Sequence, residues 1–171
     1  MIAVGWRKVF ASVCLSLMLL LTACSAPSAP SYYDQVQEET TGAKATQAVS
    51  QDAVQGSNFN QLFPESTDEY EVVPAQEKRG FAEYKLNRDG STVAMLSVND
   101  TVSNPDAAVK YATTTRQVGG YPAVDIGNTQ TAILVAGRFQ VKVQSRDESF
   151  TQGDREAWIE KFDLAGLAQV Q

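Results

Sequence analysis

Residues 25–58 set the strongest limit on what this chain can fold into. They read SAPSAPSYYDQVQEETTGAKATQAVSQDAVQGSN, dominated by Ser, Ala, Pro, Thr and Gln, with Val36, Val49 and Val54 as the large aliphatics. Such a composition buries too little apolar surface to offset the entropy of ordering, which predicts a flexible tether. As a coil of about 34 residues it would separate its ends by some 30 Å. A core is then confined to residues 59–171, about 110 residues, enough for one modest domain and no more.

Ahead of the tether, Arg7 and Lys8 precede an almost unbroken apolar run over residues 9–21. As a helix it would span about 20 Å, short of the roughly 30 Å hydrocarbon core of a bilayer. It reads as the core of a signal peptide, with an uncleaved anchor helix as the alternative. The run closes on Leu21-Thr22-Ala23-Cys24, which resembles the lipobox of bacterial lipoproteins: a leucine three residues before an invariant cysteine, with small residues between. The resemblance covers residues 1–24. It implies export, cleavage just before Cys24, a thioether from the Cys24 thiol to diacylglycerol, and acylation of the new amine. Two or three acyl chains hold a protein at a membrane firmly where one does not.

The organisation expected is therefore a signal peptide over residues 1–23, a lipidated Cys24 with its linker over residues 24–58, and a folded domain over residues 59–171. Ser25 follows the cysteine, where an aspartate in Gram-negative lipoproteins favours inner-membrane retention, so the resemblance leans to the outer membrane. Within the tether, Tyr32-Tyr33 suits either a membrane interface or a partner protein, or is a pair of exposed tyrosines. Three stretches are similar to short cyanobacterial lipoproteins that carry no assigned activity: Tyr32-Tyr33-Asp34-Gln35-Val36-Gln37-Glu38-Glu39-Thr40, Gly119-Gly120-Tyr121-Pro122 and Phe139-Gln140-Val141-Lys142-Val143. The implied location lies outside the cytoplasm, at an outer or plasma membrane facing the periplasm. The cyanobacterial likeness adds the thylakoid lumen and a photosynthetic complex as a partner.

Beyond Phe59 the pattern becomes that of an α+β domain. Phe59, Leu62, Phe63 and Pro64 predict a docking turn. Residues 80–86 and 92–98 predict two strands around Asn87-Arg88-Asp89-Gly90, whose Asp-Gly ending signals a hairpin. Asn104-Pro105-Asp106 places a cap, a proline and an early acid ahead of a short helix over residues 107–113, with Ala108, Tyr111 and Ala112 as its buried stripe. After Gly119-Gly120, residues 121–126, 130–136 and 138–145 predict three more strands. In the last, Phe139, Val141 and Val143 alternate with Gln140, Lys142 and Gln144. Thr151-Gln152-Gly153-Asp154 resembles a capping box ahead of a helical stripe of Trp158, Ile159, Phe162 and Leu167. The expected fold is an antiparallel sheet of about five strands with two helices packed on one face.

Chemistry is constrained by what is missing. The chain has no histidine, and its two cysteines, Cys14 and Cys24, both lie in the leader and lipobox. No cysteine is left for an intramolecular disulfide, and Ser-His and Cys-His catalysis are impossible. A Ser-Lys pair stays open, although no serine sits in a recognisable active-site motif. The formal charge of −6, more negative once Arg7 and Lys8 are removed, argues against nucleic acid as a partner. Asp68, Glu69 and Glu71 could act as paired carboxylates but read as solvated charge. Asp100, Asn104 and Asp106 offer oxygen ligands to calcium without the required spacing. Neither cofactor nor metal is expected.

Two features remain as binding candidates. Arg138, Lys142 and Arg146 recur at four-residue spacing, which in an extended strand places them on one face. That face could meet anionic headgroups or an acidic partner, or be a solubilising outer surface. Tyr121 stands at a rigid bend, as a contact residue or as turn packing. The expectation is a non-catalytic domain held at the membrane by Cys24 and docking on a membrane or envelope protein complex. The alternative is a carrier enclosing a small apolar ligand among aromatics such as Phe81, Tyr84, Phe139 and Trp158.

Overall fold

Seven strands make one antiparallel sheet: β1 (Glu71–Lys78), β2 (Phe81–Arg88), β3 (Ser91–Asp100), β4 (Gln117–Val118), β5 (Tyr121–Ile126), β6 (Gln130–Val135) and β7 (Phe139–Ser145). The computed structural model describes residues 49–171. The leader, Cys24, Tyr32-Tyr33 and the tether as far as residue 48 lie outside the described residues. In space the order is β1-β2-β3-β7-β6-β5-β4, two meanders joined where β3 pairs with β7. The hairpins follow from their turns. Asp89 and Gly90 both have positive φ (51° and 77°), the two-residue geometry that matches strand twist and that Asp-Gly favours. Ala136 and Gly137 do the same between β6 and β7, with Ala136 held at φ 50° despite its Cβ.

The α+β class stands, while the count of five strands is too low. β1 escapes a periodicity reading because it is an edge strand, mostly exposed, with Pro74 at a register shift and Gln76, Glu77 and Lys78 beside it. β4 is only two residues long.

Helices lie on both faces, not on one. On the main face Leu96, Val98, Ile133, Val135, Phe139, Val141 and Val143 are fully buried. A 3-10 segment (Gly56–Leu62) covers them with Phe59, followed by Phe63 and two C-terminal helices. Ala132 and Leu134 alternate with Ile133 and Val135, so they face the other way. There they form a second, smaller cluster with Tyr111 and the half-buried Ala108. The helix carrying Ala108, α1 (Asp106–Val109), is four residues long, shorter than the stretch expected over 107–113, and Ala112 is exposed. The chain leaves the helix as Tyr111 turns into the sheet, where its hydroxyl accepts a 2.9 Å bond from the buried Gln140 Nε2. Asn104 does not cap it through its side chain; Asp100 caps the preceding 3-10 turn by accepting from the Val102 amide.

The expected capping box is present. Thr151 accepts from the Asp154 amide and Asp154 from the Thr151 amide, opening α2 (Gln152–Ile159). The stripe Trp158, Ile159, Phe162 and Leu167 is buried as read, but it spans two helices. The first ends at Ile159 with Glu160 as its C-cap, and Asp163 caps α3 (Leu164–Leu167) through the Gly166 amide.

Packing also begins before residue 59, so the last part of the expected tether belongs to the domain. Ala53 and Val54 are buried at 3% and 5% exposure. A Cβ on Gly56 would stand 2.6 Å from the Phe81 carbonyl, so the chain crosses the β1–β2 end at a point only glycine fits.

Candidate functional site

Where β7 ends, the chain enters a loop over residues 146–150 and then α2, while the β5–β6 turn (Gly127, Asn128, Thr129) closes from the other side. Between them lies an open cleft of about 660 Å³ whose walls expose polar and apolar surface in about equal measure. Arg155 forms its floor. Its place in α2 is fixed by the capping box, and three, four and seven residues on come Trp158, Ile159 and Phe162, all buried. Helical periodicity therefore turns Arg155 inward, and it is only 4% exposed.

A buried guanidinium is costly unless its N–H groups are answered. Nε donates to Thr131 Oγ1 at 3.0 Å and Nη1 to Ser145 Oγ at 3.0 Å. Both hydroxyls have spent their hydrogens elsewhere, Thr131 on Asp125 Oδ1 at 2.8 Å and Ser145 on the Phe150 carbonyl at 2.6 Å, so each turns a lone pair to the arginine. No carboxylate stands within 4.0 Å of Arg155 among the described residues. Its Nη2 has no partner among them either. Because no side-chain nitrogen there is both sealed and unpartnered, Nη2 keeps contact with solvent, and Arg155 lines the cleft.

The carboxylates of the cleft are largely committed. Asp125 Oδ2 accepts from Arg116 Nη1 at 2.8 Å and Gln152 Nε2 at 3.2 Å, and Arg116 also pairs with Glu156. Asp147 takes the Ser149 amide at 2.8 Å; the Ser149 side chain first, then this amide, and more weakly Arg88, hold its carboxyl below the usual range. Glu148 and Arg146 line the cleft without an ion pair among the described residues.

At the opposite end of β7, Arg138 is not available as a docking residue. Its Nε and Nη2 clasp Asp100 at 3.0 and 2.8 Å, and Nη2 also reaches the Asp52 carbonyl at 3.0 Å. The Asp100 carboxylate is fully buried and accepts the amides of Val54 and Val102 as well. Burial pushes its pKa up, and the bonds from Arg138, Val54 and Val102 outweigh this and hold it below the ordinary range. This leaves Asp100 with no free oxygen for calcium, and among the described residues no group of three acidic side chains could hold a metal.

The basic residues read from the sequence therefore do not share a surface. Arg138 and Arg146 stand about 26 Å apart along the strand direction at roughly 3.3 Å per residue. Lys142 lies between them on the second face, half-buried; Lys110, first by burial and then by the charge of Lys142, is held below its usual pKa. Tyr121 is half-buried against the main core. Of the four, only Arg146 reaches the cleft. Of the aromatics expected to enclose an apolar ligand, Tyr84, Phe139 and Trp158 pack into the main core. Tyr84 stacks on Phe63 at 4.1 Å, Phe139 meets Phe59 edge-on, Trp158 meets Tyr70, and Phe81 lies beneath Lys78. Arg155 was missed, although its spacing from Trp158, Ile159 and Phe162 marks it as a charge on a buried helical face.

No family model matches the chain, and no curated protein or solved structure is significantly similar to it.

Proposed function

We propose that this chain is a membrane-anchored lipoprotein whose domain is a non-catalytic binding module, docking on a membrane or envelope protein complex through the cleft at Arg155. The observation that carries the reading is a nearly sealed arginine, without a carboxylate partner among the described residues, lining a cleft large enough for a ligand with Nη2 of its guanidinium unpartnered among those residues. The lipobox ending in Cys24 and the basic-apolar leader support the anchor. No described helix is long and apolar enough to cross a membrane.

Crosslinking in intact membranes tests it. Wild type is expected to form discrete protein adducts that fall with Arg146→Gln in the cleft, and Cys24→Ala is expected to lose fatty-acid label and membrane retention together. Equal label on wild type and Cys24→Ala refutes the anchor, and a domain that crosslinks to no protein refutes docking.

A further inference from the structure

The charges around the cleft limit what Arg155 can receive. Asp125, Asp147 and Glu148 line the same walls as Arg146 and Arg155, three carboxylates against two guanidiniums. Asp125 is already paired with Arg116, so Asp147 and Glu148 are the carboxylates a ligand meets; they repel a dianion such as phosphate about twice as strongly as a monoanion, and a monoanion with hydrogen-bond donors behind it also offers them partners. Thr151 and Gln152 bring the positive end of the eight-residue α2 to the same cleft. Its floor is rigid, because Nε and Nη1 of Arg155 are fixed by Thr131 and Ser145, which holds the planar guanidinium in place with Nη2 left to donate.

From this geometry we infer that the cleft is a receptor for a carboxylate, in which Arg155 Nη2 donates to the carboxylate oxygens and the ligand's N–H groups face Glu148 and Asp147. The ligand class is a monocarboxylate carrying nearby N–H donors, a description met by a small N-acylated acid and by the carboxyl end of a polypeptide. This deepens the binding-module reading and rests on it. A charge-assisted bond from Nη2 suits a carboxylate oxygen, and the unpaired Arg146 at the rim adds long-range attraction.

The test is an NMR titration of the 15N-labelled full chain, solubilised in detergent, observed at Arg155 Nε–Hε and at the amides of Thr129, Ser145 and Gln152. N-acetylglycine is expected to give saturable shifts confined to these positions, while N-acetylglycinamide gives none and inorganic phosphate binds at least about tenfold more weakly. A Gly-Ser peptide with a free carboxyl end, compared with its amidated form, separates the sources. A peptide that binds about tenfold more tightly than N-acetylglycine assigns the site to polypeptide ends; equal affinity assigns it to small acids. Arg155→Gln is expected to abolish the shifts. Because that change also removes two internal bonds, Arg146→Gln provides the second variant: exposed and unpaired, it should weaken binding severalfold with the spectrum otherwise unchanged. Shifts from the neutral amide equal to those from the acid, tighter binding of phosphate, or no saturable shift from either acid would overturn the inference. Carboxylate binding without any protein crosslink would leave this site standing and refute docking instead.

Discussion

Truncating Asp100 should detach the entry segment from the domain. In Asp100→Ala the amides of Val54 and Val102 each lose an acceptor, at about 1 kcal/mol apiece, and Arg138 loses a bidentate, charge-assisted partner at about 1.5–3 kcal/mol. Arg138 is 32% exposed and can return partly to water, so the pair counts near its lower bound and the total is roughly 3–4 kcal/mol. Urea denaturation measures that loss. Hydrogen exchange locates it, since the Val54 amide and the Gly80 amide, which donates to the Val54 carbonyl at 2.6 Å, should lose protection beyond the global loss. The pH dependence has a definite sign. The folded pKa of Asp100 lies below its unfolded value, so between the two the unfolded chain binds more protons and stability rises with pH. The contribution is complete above the unfolded value near 4 and is lost as pH falls through the folded one, a slope that Asp100→Ala should flatten. A cost under about 1 kcal/mol with unchanged Val54 protection would refute the clamp.

Three further outcomes follow from the packing. Gly56→Ala should cost about 2 kcal/mol or more, because its Cβ would press on the Phe81 carbonyl; a neutral result in urea denaturation would return this segment to the tether. Ala136→Asn should stabilise the β6–β7 hairpin by about 0.5–1 kcal/mol, since Asn tolerates the positive φ that Ala136 is held in; a lower midpoint in thermal denaturation would contradict this. Tyr111→Phe should cost about 1–2 kcal/mol by leaving Gln140 Nε2 without its acceptor. Burial raises the Tyr111 pKa to about 12, so in wild type one phenol should ionise only near that pH in an absorbance titration, a late step absent from the variant.

Much of the fold was legible because local chemistry and tertiary burial agree there. Asp89-Gly90 dictates its hairpin, the alternation around Val141 dictates a half-buried strand, and Thr151 with Asp154 dictates where α2 begins. Reading failed where tertiary contact decides. Strand β1 pairs through its backbone and carries no alternation to announce it, and Val54 reads as an isolated aliphatic in a polar stretch until Asp100 and Gly80 bind its amide and carbonyl. The side of the sheet each helix takes is likewise unwritten in its own residues. Tyr111 fits the second face because Gln140, on the polar side of β7, is there to donate to its hydroxyl.

The binding candidates show the same division in sharper form. A four-residue spacing does place Arg138, Lys142 and Arg146 in phase along an extended chain, but phase is not availability. Arg138 is claimed by Asp100, thirty-eight residues earlier in the chain, and Arg146 falls past the end of β7, where the chain is already turning toward α2. Arg155 is the reverse case. Its helical spacing to Trp158, Ile159 and Phe162 was visible and implies a buried charge, yet what that charge faces depends on Thr131 and Ser145, which only strand register brings together. Thr131 lies opposite Val143 in the β6–β7 ladder and Ser145 two residues further along β7, so a one-residue slip of β6 would turn the Thr131 hydroxyl away from α2 and leave Nε of the guanidinium unanswered. The cleft and the register therefore depend on each other: a pairing that buries Val141 and Val143 is also the one that answers Arg155 on two sides and leaves its third side open.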